Sequence, residues 1–287
     1  MIDAVLSKRT RDLGGFTVGR VLPYAGGRMV GPFVFFDHMG PAHFEPGLPR
    51  SADVRPHPHI GLSTVTYLFE GEIMHRDSVG SAQPIRAEEV NWMIAGRGIT
   101  HSERFEKARA SGDELHGIQA WVALPVEHEE TDPGFAHYGR DVLPLLDDGG
   151  ARVRLIAGEA YGARSPVATH SPLFYAHATL DAGARLAAPD GHEKRAAYVA
   201  IGAVEIDGRR IEAGEMAIFT PNQAAHLTAL APSTVMLLGG ADIGPRHIEW
   251  NFVSSSRERI EQAKADWRAG RMKLPDLDHD EFIPLPD

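Results

Sequence analysis

Two short stretches carry the side chains best suited to hold a metal ion: His57-Pro58-His59 and His101-Ser102-Glu103. Each places two competent ligands at i and i+2. Alternate side chains of a β-strand point to the same face, so each stretch aims a pair at one point and turns Pro58 or Ser102 away. Two such strands brought together supply three imidazoles and one carboxylate to a single ion. The chain has no cysteine, so the donors are nitrogen and oxygen alone. That set suits Fe(II), Mn, Ni, Co, Cu(II) or Zn. Fe(II) leaves open positions for substrate and dioxygen, whereas structural zinc sites are closed. The plainer reading makes His57 and His59 loop histidines and His101 a core hydrogen-bonder. Two i/i+2 pairs, the second straight after a glycine turn, favour the metal.

The rest of the chain must position those stretches. Its 287 residues suffice for two domains, and 43% hydrophobic content is ample for packed cores. No apolar run approaches a membrane span. Met1-Ile2-Asp3-Ala4-Val5 lacks a basic segment leading into an apolar one, so a cytoplasmic protein without membrane attachment is expected. A formal charge of −10 disfavours direct nucleic-acid binding. Thirty glycines and twenty prolines suggest many short strands joined by turns.

Gly14-Gly15 and Gly26-Gly27 break the first thirty residues into short segments. Pro56 and Pro58 bracket His57 and restrict its backbone to extended conformations. Leu62 to Phe69 and Ile73 to Asp77 read as strands about a Glu70-Gly71-Glu72 turn. Ala95-Gly96-Arg97-Gly98 is a tight turn that delivers Ile99 to Glu103; no capped helix follows, which argues against a phosphate loop. Leu115 to Leu124 reads as a further strand. His38, His43, His75 and His116 read as packed, hydrogen-bonded or surface histidines. The polar stretch 125–150 reads as a connection, giving domains at 1–135 and 136–287.

The second half repeats the first weakly. Aligning Ala197-Tyr198 and Gly202 with Thr66-Tyr67 and Gly71 sets Ala188 and Asp190 on His57 and His59. His226 falls near the place of His101, and Thr228 near that of Glu103. Asp190 and His226 alone make a poor site, since a tightly held transition metal takes three or more protein ligands. Near the C-terminus, Ser255 with Glu258 fits a capping box, Ile260, Ala263 and Trp267 recur at helical spacing, and Gly270 is a natural stop. About four turns of amphipathic helix, then an acidic tail over the surface, are expected.

Phe35-Phe36-Asp37-His38-Met39-Gly40-Pro41, His57-Pro58-His59-Ile60-Gly61 with Thr64-Val65-Thr66-Tyr67, and Ala95 to Glu103 together resemble the signatures of the pirin family. The resemblance implies an all-β bicupin: two face-to-face antiparallel β-barrels of jelly-roll type with a short C-terminal helix. It implies a metal only in the N-terminal barrel, held by His57, His59, His101 and Glu103. In the wider cupin pattern a glutamate follows the second histidine; here, as in pirins, Ser63 and Thr64 stand there and Glu103 takes the carboxylate role. Bacterial members are associated with quercetin 2,3-dioxygenase activity, eukaryotic ones with iron-dependent transcriptional co-regulation.

The enzyme reading expects one divalent metal per chain, Fe(II) first, with Ni, Co, Cu, Mn or Zn as alternatives. Glu103 serves as general base toward an enolisable aromatic of the flavonol type, and dioxygen is the second substrate. Phe35, Met74 and Trp92 are the candidates for the apolar lining. The competing reading is a redox-sensing regulator that binds a protein partner without turnover; a third is a scaffold stabilised by its metal.

Overall fold

The computed structural model describes residues 1–12, 16–25 and 29–286; Gly14, Gly15, Gly26 and Gly27 lie outside them. The fold is mostly β-sheet, as a bicupin requires. The chain forms two compact units that exchange their ends. One comprises Arg11–Val18, Met39–Arg140 and Gly244–Asp287, the other Met1–Thr10, Gly19–His38 and Asp141–Ile243.

The unit carrying the candidate ligands contains eight strands that matter for the site. They are β1 (Val54–His59), β2 (Leu62–Glu70), β3 (Glu72–Asp77), β4 (Ala82–Arg86), β5 (Val90–Ile94), β6 (Ile99–Arg104), β7 (Asp113–Ala123) and β8 (Gly134–Tyr138). One sheet runs β1-β6-β3-β4, and the other includes the run β8-β5-β2-β7. All these pairings are antiparallel. The inner side is apolar at one end, where Leu68, Ile73, Ile85, Phe105 and Leu115 cluster. Farther along the same strands the inward positions become polar. Leu68 gives way to Thr66 and Thr64 on β2, and Ile73 to His75 and Asp77 on β3. Hydrophobic burial fills one end of the barrel and leaves polar side chains lining the other.

Gly61 ends the ligand strand in a left-handed conformation (φ +67°), and a Cβ there would collide with the Val253 carbonyl. Glycine lets β1 turn against the C-terminal segment at close range. That segment carries α1 (Arg257–Arg268), whose Ile260, Ala263 and Trp267 pack on Ile60 and Phe252 as their spacing foretells. The helix starts one residue later than the sequence suggests and runs twelve residues. Ser256 is the cap, its hydroxyl accepting from Arg259 N, while Ser255 is drawn off to Glu129.

The other unit has a seven-strand path from Ile2–Ser7 through Glu215–Phe219, Lys194–Ile201, Ser233–Gly240, Leu173–Leu180 and Ala151–Ala160 to Leu145–Asp148. A four-stranded sheet holds Arg185–Ala187, His226–Ala229, Ala203–Ile206 and Arg209–Glu212. Leu155, Phe174, Val199, Leu227 and Leu237 are among the side chains filling its core. Ala188 is buried in that core, whereas Asp190 and His226 are exposed.

A division at residue 135 therefore fails in three places. It would cut β8, which pairs with β5. It would also separate α1 from its unit, and Ile2–Ser7 from its partner Glu215–Phe219.

Candidate metal centre

Strands β1 and β6 are neighbours, with His57 opposite His101 and His59 opposite Ile99. Directly paired residues of an antiparallel ladder share a face, so the three histidines project together. Their ligand nitrogens lie within 4.8 Å of one another, and all three rings are buried. Beyond His101 the ladder slips by one residue and pairs Glu103 with Val54. Arg55 and Pro56 together oppose Ser102 there, a bulge placed where proline has no N–H for the ladder. On the other side of β6 the register with β3 is regular, His101 facing Asp77 and Glu103 facing His75.

Each imidazole has its Nδ1 engaged. His57 Nδ1 donates to the Arg55 carbonyl at 2.9 Å, and His59 Nδ1 to the Asn251 carbonyl at 3.0 Å. A carbonyl only accepts, so these bonds put the proton on Nδ1 and leave Nε2 bare. His101 Nδ1 meets His75 Nδ1 at 3.3 Å, and His75 Nε2 meets Asp77 Oδ2 at 2.9 Å. Nε2 of His59 and of His101 is buried without a hydrogen-bond partner. Buried polar atoms without partners are costly and uncommon. Two of them converging among three imidazoles fit a metal ion, and the residues can hold one.

Burial sets the charge state. It pushes the His57 imidazole down to about 4, against the opposing Arg55 carbonyl, with His75 adding to the depression. Burial likewise holds His59 and His101 well below the ordinary histidine value, helped by the neighbouring His57. All three are neutral at neutral pH, as ligands must be.

Glu103 is half-buried on the same strand, outside the 4.8 Å cluster. Burial raises its carboxyl to about 7, against hydrogen bonds from Thr66 and Gln119. Thr66 Oγ1 lies at 3.4 Å and Gln119 Nε2 at 3.2 Å, both on Glu103 Oε1, and Thr66 donates at 2.7 Å to Gln119 Oε1. Thr66 and Gln119 are paired residues of the opposite sheet, so Glu103 bridges the barrel interior.

The three expected lining residues lie elsewhere. Met74 pairs with Arg104, which puts it on the outer face; His75 has the inward place. Trp92 pairs with Val65, while its neighbours Asn91 and Met93 pair with Thr66 and Thr64 on the site side. Phe35 belongs to the other unit and lies 4.4 Å beneath the Arg20 guanidinium. The site-side rings are instead Trp121, edge-on to His59 at 5.1 Å, and Phe135, stacked on His75 at 4.4 Å. His38 and His43 are hydrogen-bonded as expected, to Tyr198 and Glu114. Sequence reasoning missed His75 and Asp77, although His75-Arg76-Asp77 shows the same i/i+2 spacing as the ligand pairs. It also missed Asn251, which acts through its backbone and leaves no side-chain signal.

The family model described as pirin matches residues 15–122, and that described as pirin C-terminal cupin domain matches residues 175–273. The chain belongs to the pirin family. It is 64% identical to a pirin-like protein of Caulobacter vibrioides, over 100% of both chains. Among solved structures it is similar to a quercetin 2,3-dioxygenase from Acinetobacter baumannii. That match has a TM-score of 0.89 and 30% identity, covering 99% of this chain and 95% of the other. It shares its fold with the Escherichia coli pirin YhhW, solved in complex with nickel(II). There the TM-score is 0.65 and the identity 20%, covering 84% of this chain and all of the other. No described helix is long and apolar enough to cross a membrane.

Proposed function

We propose that this pirin is a metal-dependent dioxygenase that opens flavonols of the quercetin type, with His57, His59, His101 and Glu103 as its metal-binding set and Fe(II) as its metal. The observation that carries the reading is the pairing of a buried, neutral three-imidazole cluster with an adjacent carboxylate not committed to a cation. The similarity to a quercetin 2,3-dioxygenase supports the choice of substrate.

When bound, the metal supplies Lewis acidity to the flavonol 3-hydroxyl and open positions for substrate and dioxygen. The three imidazoles would hold it by Nε2, their Nδ1 atoms being engaged behind them. Glu103 accepts the 3-hydroxyl proton as general base. Its Oε1 takes the bond from Gln119 Nε2, whose own Oε1 accepts from Thr66, leaving Oε2 for that proton. Asp77, the other acid on this face, is committed to His75 and to two loop N–H groups. The substrate enolate takes up one dioxygen, and ring opening releases one carbon monoxide and the ring-opened ester. Met93, Trp121 and Phe135 offer an apolar wall for the aromatic ring.

The test is quercetin loss with oxygen uptake by protein loaded anaerobically with Fe(II). The expected result is stoichiometric consumption of flavonol and oxygen, abolished in His101→Ala. In Glu103→Gln it falls at least about 100-fold, the scale of a general base. A fully loaded wild type that consumes no oxygen overturns the proposal.

A further inference from the structure

Only one of the three imidazoles rests on a side chain. His57 and His59 donate to neutral backbone carbonyls, whereas His101 leans on His75, and His75 on Asp77. All three members are buried. We infer that Asp77 and His75 form a positioning pair that fixes the tautomer of His101 and strengthens it as a metal ligand.

The direction of the hydrogen bonds decides this. Asp77 is anchored by Oδ1, which accepts from Val79 N at 3.0 Å and Ser81 N at 2.9 Å. Its Oδ2 accepts from His75 Nε2–H. That places a proton on His75 Nε2, and in the contact with His101 it sets His75 Nδ1 as the acceptor. His75 Nδ1 then accepts from His101 Nδ1–H, and His101 Nε2 is left bare in the ligand cluster. The Phe135 ring, 15° from parallel, holds the His75 plane. A carboxylate behind a ligating histidine raises its basicity and fixes its orientation.

The pair rests on the metal centre but not on the substrate, so its test uses Co(II) binding. Affinity is read by chelator competition and the ligand field by visible absorption. In Asp77→Asn the two loop N–H groups hold the amide oxygen, so the amide NH2 faces His75. His75 must then accept at Nε2 and donate from Nδ1, which moves the His101 proton to Nε2 and removes the ligand's lone pair. In His75→Gln the amide oxygen accepts from His101 and the amide NH2 donates to Asp77, so the direction survives.

We expect Asp77→Asn to weaken Co(II) binding at least ~10–100-fold and to shift its absorption bands. His75→Ala falls between, and His75→Gln stays within a few-fold of wild type. A purely structural role predicts the opposite order, with the near-isosteric Asp77→Asn mild and His75→Gln no better than His75→Ala. That order, or unchanged affinity in folded Asp77→Asn, overturns the pair alone. A wild type that binds no Co(II) overturns the metal centre and the pair with it.

Discussion

A side chain one place along a strand faces the opposite way, and at this site that rule separates ligand from bystander. His75 and Met93 face the site, while their neighbours Met74 and Trp92 face away. Under the dioxygenase reading, Met93→Ala should raise the KM for quercetin about tenfold, the scale of a lost apolar contact, with metal content unchanged. Met74→Ala should leave KM alone. Steady-state kinetics on the loaded variants check this, and the reverse pattern would move the substrate to the outer face. The three-histidine cluster was legible because His57-x-His59 and the strand of His101 carry their own parity. The lining was not, because a lone Met or Trp between apolar neighbours has none until the register is known. Phe135 was hidden for another reason: it lies in a stretch whose polar composition reads as a connection, yet it belongs to β8.

Strand β6 is loaded on both faces. Inward it presents His101 and Glu103; outward, Ser102 and Arg104 meet the C-terminal tail. Arg104 is buried, donating to Asp278 through Nε and Nη2, both at 2.7 Å, with Asp53 and Glu281 near Nη1. Ser102 Oγ donates to Asp278 at 2.6 Å, and Thr100 Oγ1 donates to the Lys273 carbonyl. Removing the cation strands buried carboxylates, so Arg104→Ala should cost about 3–5 kcal/mol. That lowers the thermal midpoint by roughly 10 °C; a change under about 2 °C would contradict it. Bonds from Arg104 and Ser102 hold the Asp278 carboxyl below its ordinary value, outweighing the opposing effect of burial. A depressed acid stabilises the fold fully above its unfolded pKa of about 3.9. The contribution fades as pH falls through the lower folded value. In urea unfolding the gap between wild type and Asp278→Asn should therefore be constant near neutrality and narrow as pH falls below about 4; a gap that stays constant or widens there argues against it. An acidic tail over the surface was readable from composition. Its target was not, because Asp278 and Arg104 are 174 residues apart.

At the scale of the molecule, the proposed function sets the metal in the unit of His57, His59 and His101 alone. The weak internal repeat was visible in the sequence, and so was the replacement of the histidine pair by Ala188 and Asp190 in its second copy. The exchanged ends were not, because short strands such as Ile2–Ser7 do not announce which sheet they join. His59 depends on the Asn251 carbonyl and Arg104 on Asp278, both in 244–287. A fragment of residues 1–135 should accordingly neither fold cooperatively nor hold metal, and circular dichroism with metal analysis would show it. That assignment makes a stricter demand on the intact chain. Its 15 histidines invite adventitious metal, so occupancy must be counted after a chelator wash. The unit holding Asp190 and His226 has an apolar core, and both side chains are exposed. The Asp190→Ala/His226→Ala double variant should therefore retain the wild-type count of about one ion per chain, since fewer than three protein ligands hold a transition metal poorly. His59→Ala should lower it, because the cluster of three buried imidazoles is reduced to two. A double variant whose count falls with the fold intact would place tightly held metal in the second barrel and end the asymmetry.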